Sequence, residues 1–313
     1  MKMSMTKIPT LGMRREDWLE ERRKSIGGSD AAGILGLNRY ASPFTLWLDK
    51  TGKLPEKEET EAMRIGRDLE DYVAKRWSEA TGKKVRRENH LIRNSLYPFA
   101  HADVDRMVVG ENAGLECKTT STLDLRQFHG VEFPEKYYAQ CVHYLAVTGA
   151  ERWYLAVLVF GRGFFCYTLE RDQAEIDALM AEEADFWRLV ENGTPPAPGG
   201  TAPDTEALSV IYAESRPETV ELFGRGGMLE DYFRLKAQKK ALDEQLDCIE
   251  NTLKQDMGEA ETGFCGSFRI SWKAQSRRTF QAKDFQRANP GMDLEPFYKV
   301  STARPFKITR EDA

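Results

Sequence analysis

The period of the apolar positions changes several times along the chain, and each change marks an element. Residues 60–81, TEAMRIGRDLEDYVAKRWSEAT, set Met63, Leu69, Val73 and Trp77 at helical spacing, which predicts an amphipathic helix stopped by Gly82. Upstream, REDWLEERRKSIGGSDAAGILGLN reads as helix, Gly-Gly turn, helix, with Ser29 as N-cap and Gly36 as the stop. SPFTLWLDKTG reads as a short helix capped by Ser42, with Pro43 at its first position. Past Gly82 the period falls to two, and KKVRRENHLIRN, FAHADVDRMVV and AGLECKTT read as strands. PEKYYAQCVHYLAVT predicts a helix opening at Pro134. RWYLAVLVFGRGFFCYTLE predicts a hairpin of two buried strands turning at Gly161-Arg162-Gly163. DQAEIDALMAEEADFWRLVENG predicts a helix stopped by Gly193.

The run TPPAPGGTAPDT interrupts this pattern and is the clearest linker in the chain. It divides a mixed α/β unit, 1–195, from an extension, 207–313, with 196–206 as the linker. The extension opens with a long helix over about 228–257. Leu235, Leu242 and Ile249 lie seven apart there, with Leu246 and Leu253 at the alternate positions, a short heptad seam flanked by KAQKK and DEQ. Packing back on its own chain is the ordinary fate of such a seam; a neighbouring helix or another subunit are the alternatives. Phe268, Ile270 and Trp272 alternate, which predicts a terminal hairpin. The chain has no internal repeat.

Composition narrows the class. The 313 residues are 41% hydrophobic and 11% aromatic, which is globular. No stretch approaches the ~18 apolar residues of a membrane span. The segment MKMSMTKIPTLGMRRE lacks the apolar core of a signal peptide, so the expected compartment is the cytosol. The five cysteines show no CxxC spacing and read mostly as small buried apolar residues rather than as disulfides or a zinc site. The net charge of -5 argues against a general nucleic-acid binder but leaves room for a local basic groove. ERRK at 21–24, GKKVRRE at 82–88 and QSRR at 275–278 are the basic clusters, each of which reads by default as a solvated face.

Residues 101–120, HADVDRMVVGENAGLECKTT, carry the candidate chemistry. Strand alternation puts Glu116 and Lys118 on one face. An antiparallel pairing across the GENAG turn brings Asp105 beside Glu116. Two carboxylates that close repel unless a cation lies between them, and Mg²⁺ or Mn²⁺ suits oxygen ligands and phosphate. The Cys117 carbonyl lies between the two strand side chains and completes a shell. Lys118 would orient or deprotonate a metal-bound water, or stabilise charge developing on a phosphate. Asp103 is a further carboxylate, on the same face as Asp105 by alternation. The flanks MVVG and GLEC are apolar, so these charges need partners. Taken without further context, Glu-x-Lys on a strand is more often a wet face.

Asp followed by Glu-x-Lys on a hairpin after a long helix resembles the core of the PD-(D/E)XK nucleases. WLEERRKSIGGSDAAGILG, GRDLEDYVAKRW, ADVDRMV, GLECKTT and YYAQCVHYLAVTG resemble, in order, the lambda-exonuclease (YqaJ-type) viral recombinases, over roughly residues 15–195. The resemblance implies an α/β core of the restriction-endonuclease type, a central mixed sheet flanked by helices, with a C-terminal helical and hairpin extension. It implies that Asp105, Glu116 and the Cys117 carbonyl bind Mg²⁺, for which Mn²⁺ substitutes, with Glu70 completing or supporting the site. It implies that Lys118 is the catalytic lysine, that Gln140 contacts the site from the later helix, and that Arg22 and Ser29 grip the 5′-phosphate of a DNA end. A guanidinium fork and a helix N-terminus both suit phosphate. Val104 stands where the family's motif has proline, which does no chemistry. The implied activity is 5′-to-3′ digestion of linear duplex DNA, leaving 3′ overhangs for a single-strand annealing partner. The implied assembly is a ring-shaped homo-oligomer, such as a trimer, in a bacterial or phage-infected cytoplasm. Other polarity, endonucleolytic action, or a non-catalytic DNA-binding role are the competing expectations.

Overall fold

The computed structural model describes residues 4–56, 59–121, 133–299 and 303–310. The chain divides into two compact units, Met1–Glu214 with Arg304–Ala313, and Ser215–Ala303.

The first unit begins with β1 (Met5–Pro9), α1 (Arg15–Arg23), β2 (Ile26–Gly27), α2 (Gly28–Ile34) and α3 (Pro43–Lys50). It continues through α4 (Glu61–Thr81), β3 (Val85–Arg87), β4 (His90–Asn94), β5 (Tyr97–Asp103), β6 (Arg106–Val108) and β7 (Ala113–Thr120). It closes with α5 (Glu135–Thr148), β8 (Arg152–Val159), β9 (Gly163–Glu170), α6 (Gln173–Glu191) and α7 (Ala202–Ile211). A five-stranded mixed sheet runs in the order β3-β6-β7-β8-β9, with β7 and β8 parallel and the other pairs antiparallel. A four-stranded sheet runs β1-β4-β5-β2. The stretch that reads as one alternating strand, FAHADVDRMVV, therefore serves two sheets: β5 pairs with β4, the chain changes partners after Asp103, and β6 pairs with β7.

Helices cover both faces of the larger sheet. Val73, Ala74 and Trp77 of α4 pack with Leu115, Cys117 and Tyr154 on one face. Val142, Leu145 and Ala146 of α5 pack with Trp153 and the β5 residues Ala100 and Ala102. Thr60 caps α4, Ser42 caps α3 with Pro43 at its first position, and Asp172 caps α6. Gly82, Gly149 and Gly193 follow helix ends with positive φ, where a side chain would be strained. Met63, however, is exposed, so the apolar stripe of α4 is buried only over its second half. Strand β9, the last in the sheet order among the described residues, is half-buried.

Two glycines have a different role from the one expected. Gly27 and Gly28 make no turn: Gly27 ends β2 and Gly28 opens α2, neither with positive φ. A Cβ on Gly27 would lie 2.9 Å from His101 Nε2, and one on Gly28 would lie 2.6 Å from the Tyr144 ring. Both positions allow close packing. The N-cap of α2 is Gly27, not Ser29, because the Asp30 carboxylate accepts the Gly27 N–H at 2.9 Å.

The Pro/Gly-rich run is not where the units separate. Helix α7 starts inside it and packs Ala207 against Phe186 and Trp47. Asp204 is fully buried, accepting from Ser42 Oγ, from Thr201 Oγ1 at 2.9 Å and from Gly199 N at 2.9 Å. The boundary falls instead after Glu214, and Arg304 returns to the first unit by donating to Tyr212 O and Glu214 O.

The second unit holds α8 (Gly226–Met257), the hairpin β10 (Thr262–Cys265) and β11 (Phe268–Ser271), and α9 (Ala282–Ala288). The hairpin is as expected. The heptad seam is not covered within its own unit: no residue of α8 is buried. Of the five cysteines only Cys117 and Cys141 are buried, and all are free thiols.

Candidate active site

Register brings the candidate residues together. Arg106 pairs with Leu115 across the β6–β7 ladder, so Asp105, one step beyond β6, falls opposite Glu116. Asp105 Oδ2 accepts the Cys117 N–H at 2.8 Å. A strand residue's N–H and C=O point the same way, so the Cys117 carbonyl also faces Asp105. The Cys117 side chain lies on the opposite face, in the α4 core, and only its backbone is available to the site. Glu116 Oε1 lies 2.6 Å from Lys118 Nζ and accepts from Gln140 Nε2 at 2.8 Å. Gln140 also donates to Tyr144 OH at 2.8 Å, and the Tyr144 hydroxyl donates to Asp103 O.

The electrostatics are those of a crowded acidic pair. Burial, then the Glu116 and Glu70 charges, push the Asp105 carboxyl well above its ordinary range. Burial also raises Glu116, against the opposing pull of Lys118. Burial disfavours the Lys118 ammonium, but Glu116 and Asp105 outweigh it and raise its pKa. Lys118 is thus an ammonium, suited to stabilising negative charge rather than to removing a proton. Glu116 Oε2 is buried without a hydrogen-bond partner among the described residues. Such an orphaned oxygen beside a second repelled carboxyl is an environment that a hard cation satisfies.

Glu70 stands apart from this pair. Its carboxylate is held by Arg106, while Arg67, three residues before it on the same helix, pairs with Glu59. Among the described residues no three His, Cys, Asp or Glu side chains converge as a ready metal cage. Glu70 therefore acts on Asp105 and Glu116 through its charge. Asp103 also differs from expectation. The strand ends there and its carboxylate accepts from Trp18 Nε1 at 3.1 Å, yet it still lines the cleft and its charge adds to the rise of Glu116.

Arg22 and Ser29 come together in the same cleft. Arg22 Nη2 donates to Ser29 Oγ at 2.8 Å. The guanidinium stacks on Trp18, 4.6 Å from the ring centroid, and Trp18 is anchored by Asp103. The cleft is about 420 Å³, and Arg22, Ser29, Glu70, Asp105, Glu116, Lys118 and Gln140 all line it. Sequence reasoning missed Trp18 and Arg106. Trp18 sits one helical turn before Arg22, an i,i+4 spacing that signals a stacked pair. It also missed His101, fully buried in the cleft wall, whose Nδ1 pairs with Ser25 Oγ at 2.9 Å. Of the basic clusters, Arg22 and Arg87 reach the cleft, while Arg23, Lys24 and Lys83 pair with Asp49, Glu21 and Glu111 at the surface.

Residues 17–151 match the family model of the YqaJ-like viral recombinase domain. An uncharacterised protein YqaJ of Bacillus subtilis (strain 168) is 44% identical over 302 residues, covering 95% of this chain and 94% of that protein. The chain belongs to the YqaJ-like viral recombinase family. The YqaJ-like match ends at 151, but the Bacillus protein is similar nearly end to end, so the second unit has a counterpart there. The YqaJ-like chain also matches an alkaline exonuclease (LHK-Exo) from Laribacter hongkongensis at 20% identity, TM-score 0.47, covering 57% of this chain and 94% of that one. A phage-related exonuclease from Haemophilus somnus 129PT matches at 12% identity, TM-score 0.42, covering 54% and 96%.

Proposed function

We propose that this protein is a metal-dependent deoxyribonuclease that digests linear duplex DNA from the 5′ end and leaves a 3′ single-stranded overhang. The observation that carries this reading is the convergence in one cleft of the Asp105–Glu116–Lys118 cluster and the Arg22–Ser29 pair. Asp105, Glu116 and the Cys117 carbonyl would hold Mg²⁺, or Mn²⁺ in its place, with Glu70 in support. Such an ion supplies a water activated for attack and a charge to balance the phosphate. Gln140 fixes Glu116 by bonding Oε1, and the Cys117 N–H fixes Asp105. The Lys118 ammonium then faces the scissile phosphate's developing charge. Arg22 and Ser29 hold a terminal 5′-phosphate and so select an end over an interior site.

The overhang suits a single-strand annealing protein as partner, and a ring of subunits, trimeric in the simplest case, would give processivity. On this reading it works on DNA in the cytoplasm of a bacterial or phage-infected cell; among the described residues no helix is long and apolar enough to cross a membrane.

Linear duplex labelled separately at its 5′ and 3′ ends tests the reading, with Mg²⁺ or EDTA and with Glu116→Ala beside wild type. Early release of 5′ label that needs metal and Glu116 is expected. Loss of 3′ label first, or cleavage in EDTA, would overturn it. Arg22→Ala is expected to slow digestion of 5′-phosphorylated ends by about tenfold or more, the worth of one charge-assisted contact, and to leave unphosphorylated ends nearly unaffected. Equal slowing on both substrates would remove Arg22 from phosphate recognition.

A further inference from the structure

Helix α8 carries an apolar seam that its own unit does not bury. Leu235, Leu242, Leu246 and Ile249 are each between 56% and 59% exposed, and Leu253 follows in the same stripe. Single exposed leucines are ordinary, but a heptad of them along a 32-residue helix is the pattern of a helix-pairing face.

The charges say what covers it. Residues 234–240 hold Arg234, Lys236, Lys239 and Lys240 and no acid; residues 243–250 hold Asp243, Glu244, Asp247 and Glu250 and no base. The two blocks lie on either side of Leu242. We propose that α8 pairs antiparallel with α8 of a second copy of this chain. Running antiparallel about Leu242, each basic block meets the acidic block of the other copy, twice over. Running parallel, base would face base and acid would face acid.

Lys239 supports the same orientation. It falls on the seam, between Leu235 and Leu242 on one side and Leu246 on the other. A parallel pair would set two Lys239 ammonium groups against each other at the core, which is costly. An antiparallel pair about Leu242 sets each Lys239 beside Gln245 and Leu246 of the other copy, with the head free to reach the facing acidic block. The ion pairs α8 makes within itself, such as Lys240–Glu244 at 3.7 Å, are exposed and weak, and do not compete.

The test is the mass of the full chain in solution by analytical ultracentrifugation. Leu242→Ser with Leu246→Ser is expected to lower the mass at least twofold. Both side chains are exposed, so folding and DNA digestion serve as controls. An unchanged mass would overturn the proposal and leave the seam to an unlike partner.

Orientation is read from a charge-swapped chain, with acids at 234, 236, 239 and 240 and lysines at 243, 244, 247 and 250. Antiparallel pairing predicts that swapped and wild-type chains each self-associate but do not mix. If instead the swapped chain mixes with wild type as readily as each pairs with itself, the charge blocks do not set the orientation and the proposed arrangement is wrong.

Discussion

Lys118→Ala is expected to slow phosphodiester cleavage by about 10³-fold, the effect of losing one positioned charge in the transition state, while binding of duplex ends stays nearly unchanged. The size follows from the site's balance of charge. Glu116 is buried and Asp105 half-buried; desolvation raises both carboxyls, and the Glu116 charge raises Asp105 further. Lys118 Nζ, 2.6 Å from Glu116, is the cation the chain itself supplies. On the proposed reading, its removal withdraws stabilisation where the phosphate's charge grows, whereas the ground-state grip on the DNA end would rest on Arg22 and Ser29, which line the same cleft. Single-turnover digestion set beside anisotropy of a labelled DNA end separates the two effects. Cleavage at the wild-type rate would take Lys118 out of the chemistry. Parallel loss of binding and cleavage would make it a docking charge.

The second large effect concerns stability. His143 and Glu183 are both fully buried, with Nδ1 2.8 Å from Oε1 and 3.0 Å from Oε2. His143 Nε2 donates to the carbonyl of His101 at 2.8 Å, so that nitrogen keeps its proton. A second proton lies between Nδ1 and Glu183. Burial works against the imidazolium, but the Glu183 charge and the hydrogen bonds prevail and raise the His143 pKa. Removing one partner with Glu183→Leu is expected to cost about 3–5 kcal/mol, the usual penalty for a broken buried pair. For a domain of this size that is a fall of about 10 °C in Tm. The double change Glu183→Leu with His143→Phe should recover much of the loss, because an apolar pair leaves no orphaned charge.

The sign of the pH dependence follows from the raised pKa. Below the ordinary histidine value of 6.5, folded and unfolded chains both hold the proton and the contribution is complete. Above it the unfolded chain releases the proton first, so stability falls as pH rises, by at most about 1.4 kcal/mol per pH unit, until the folded imidazole also titrates. Denaturant melts of wild type and Glu183→Leu between pH 6 and pH 9 check this. A slope as steep in the variant as in wild type would show that the pair is not its source.

The candidate site was legible in the sequence where its members share a strand or a turn. Glu116 and Lys118 are fixed by the two-residue period, and Asp105 by the ladder across a short turn. Helix ends were legible because Thr60, Ser42 and the positive-φ glycines act locally. What escaped depends on contacts between distant segments. Nothing near Asp103 signals that its strand will leave one sheet and re-enter another. Nothing near Glu70 signals that Arg106, 36 residues later, will claim its carboxylate. The Pro/Gly-rich run looks like a linker by composition, yet Asp204 within it is buried and bonded to a serine 162 residues earlier.

The return of Arg304 to the first unit makes residues 215–303 an insertion rather than a tail. A gene truncated after 214 would discard the closing segment together with the inserted unit. An excision that splices 214 directly to 304 would keep that segment, and it is the natural cut because the two ends already meet: Arg304 Nη1 lies 3.0 Å from Glu214 O. Units joined at two neighbouring points can be gained, lost or exchanged without rethreading the host. The same adjacency makes this surface a suitable point for grafting a foreign domain into the nuclease unit.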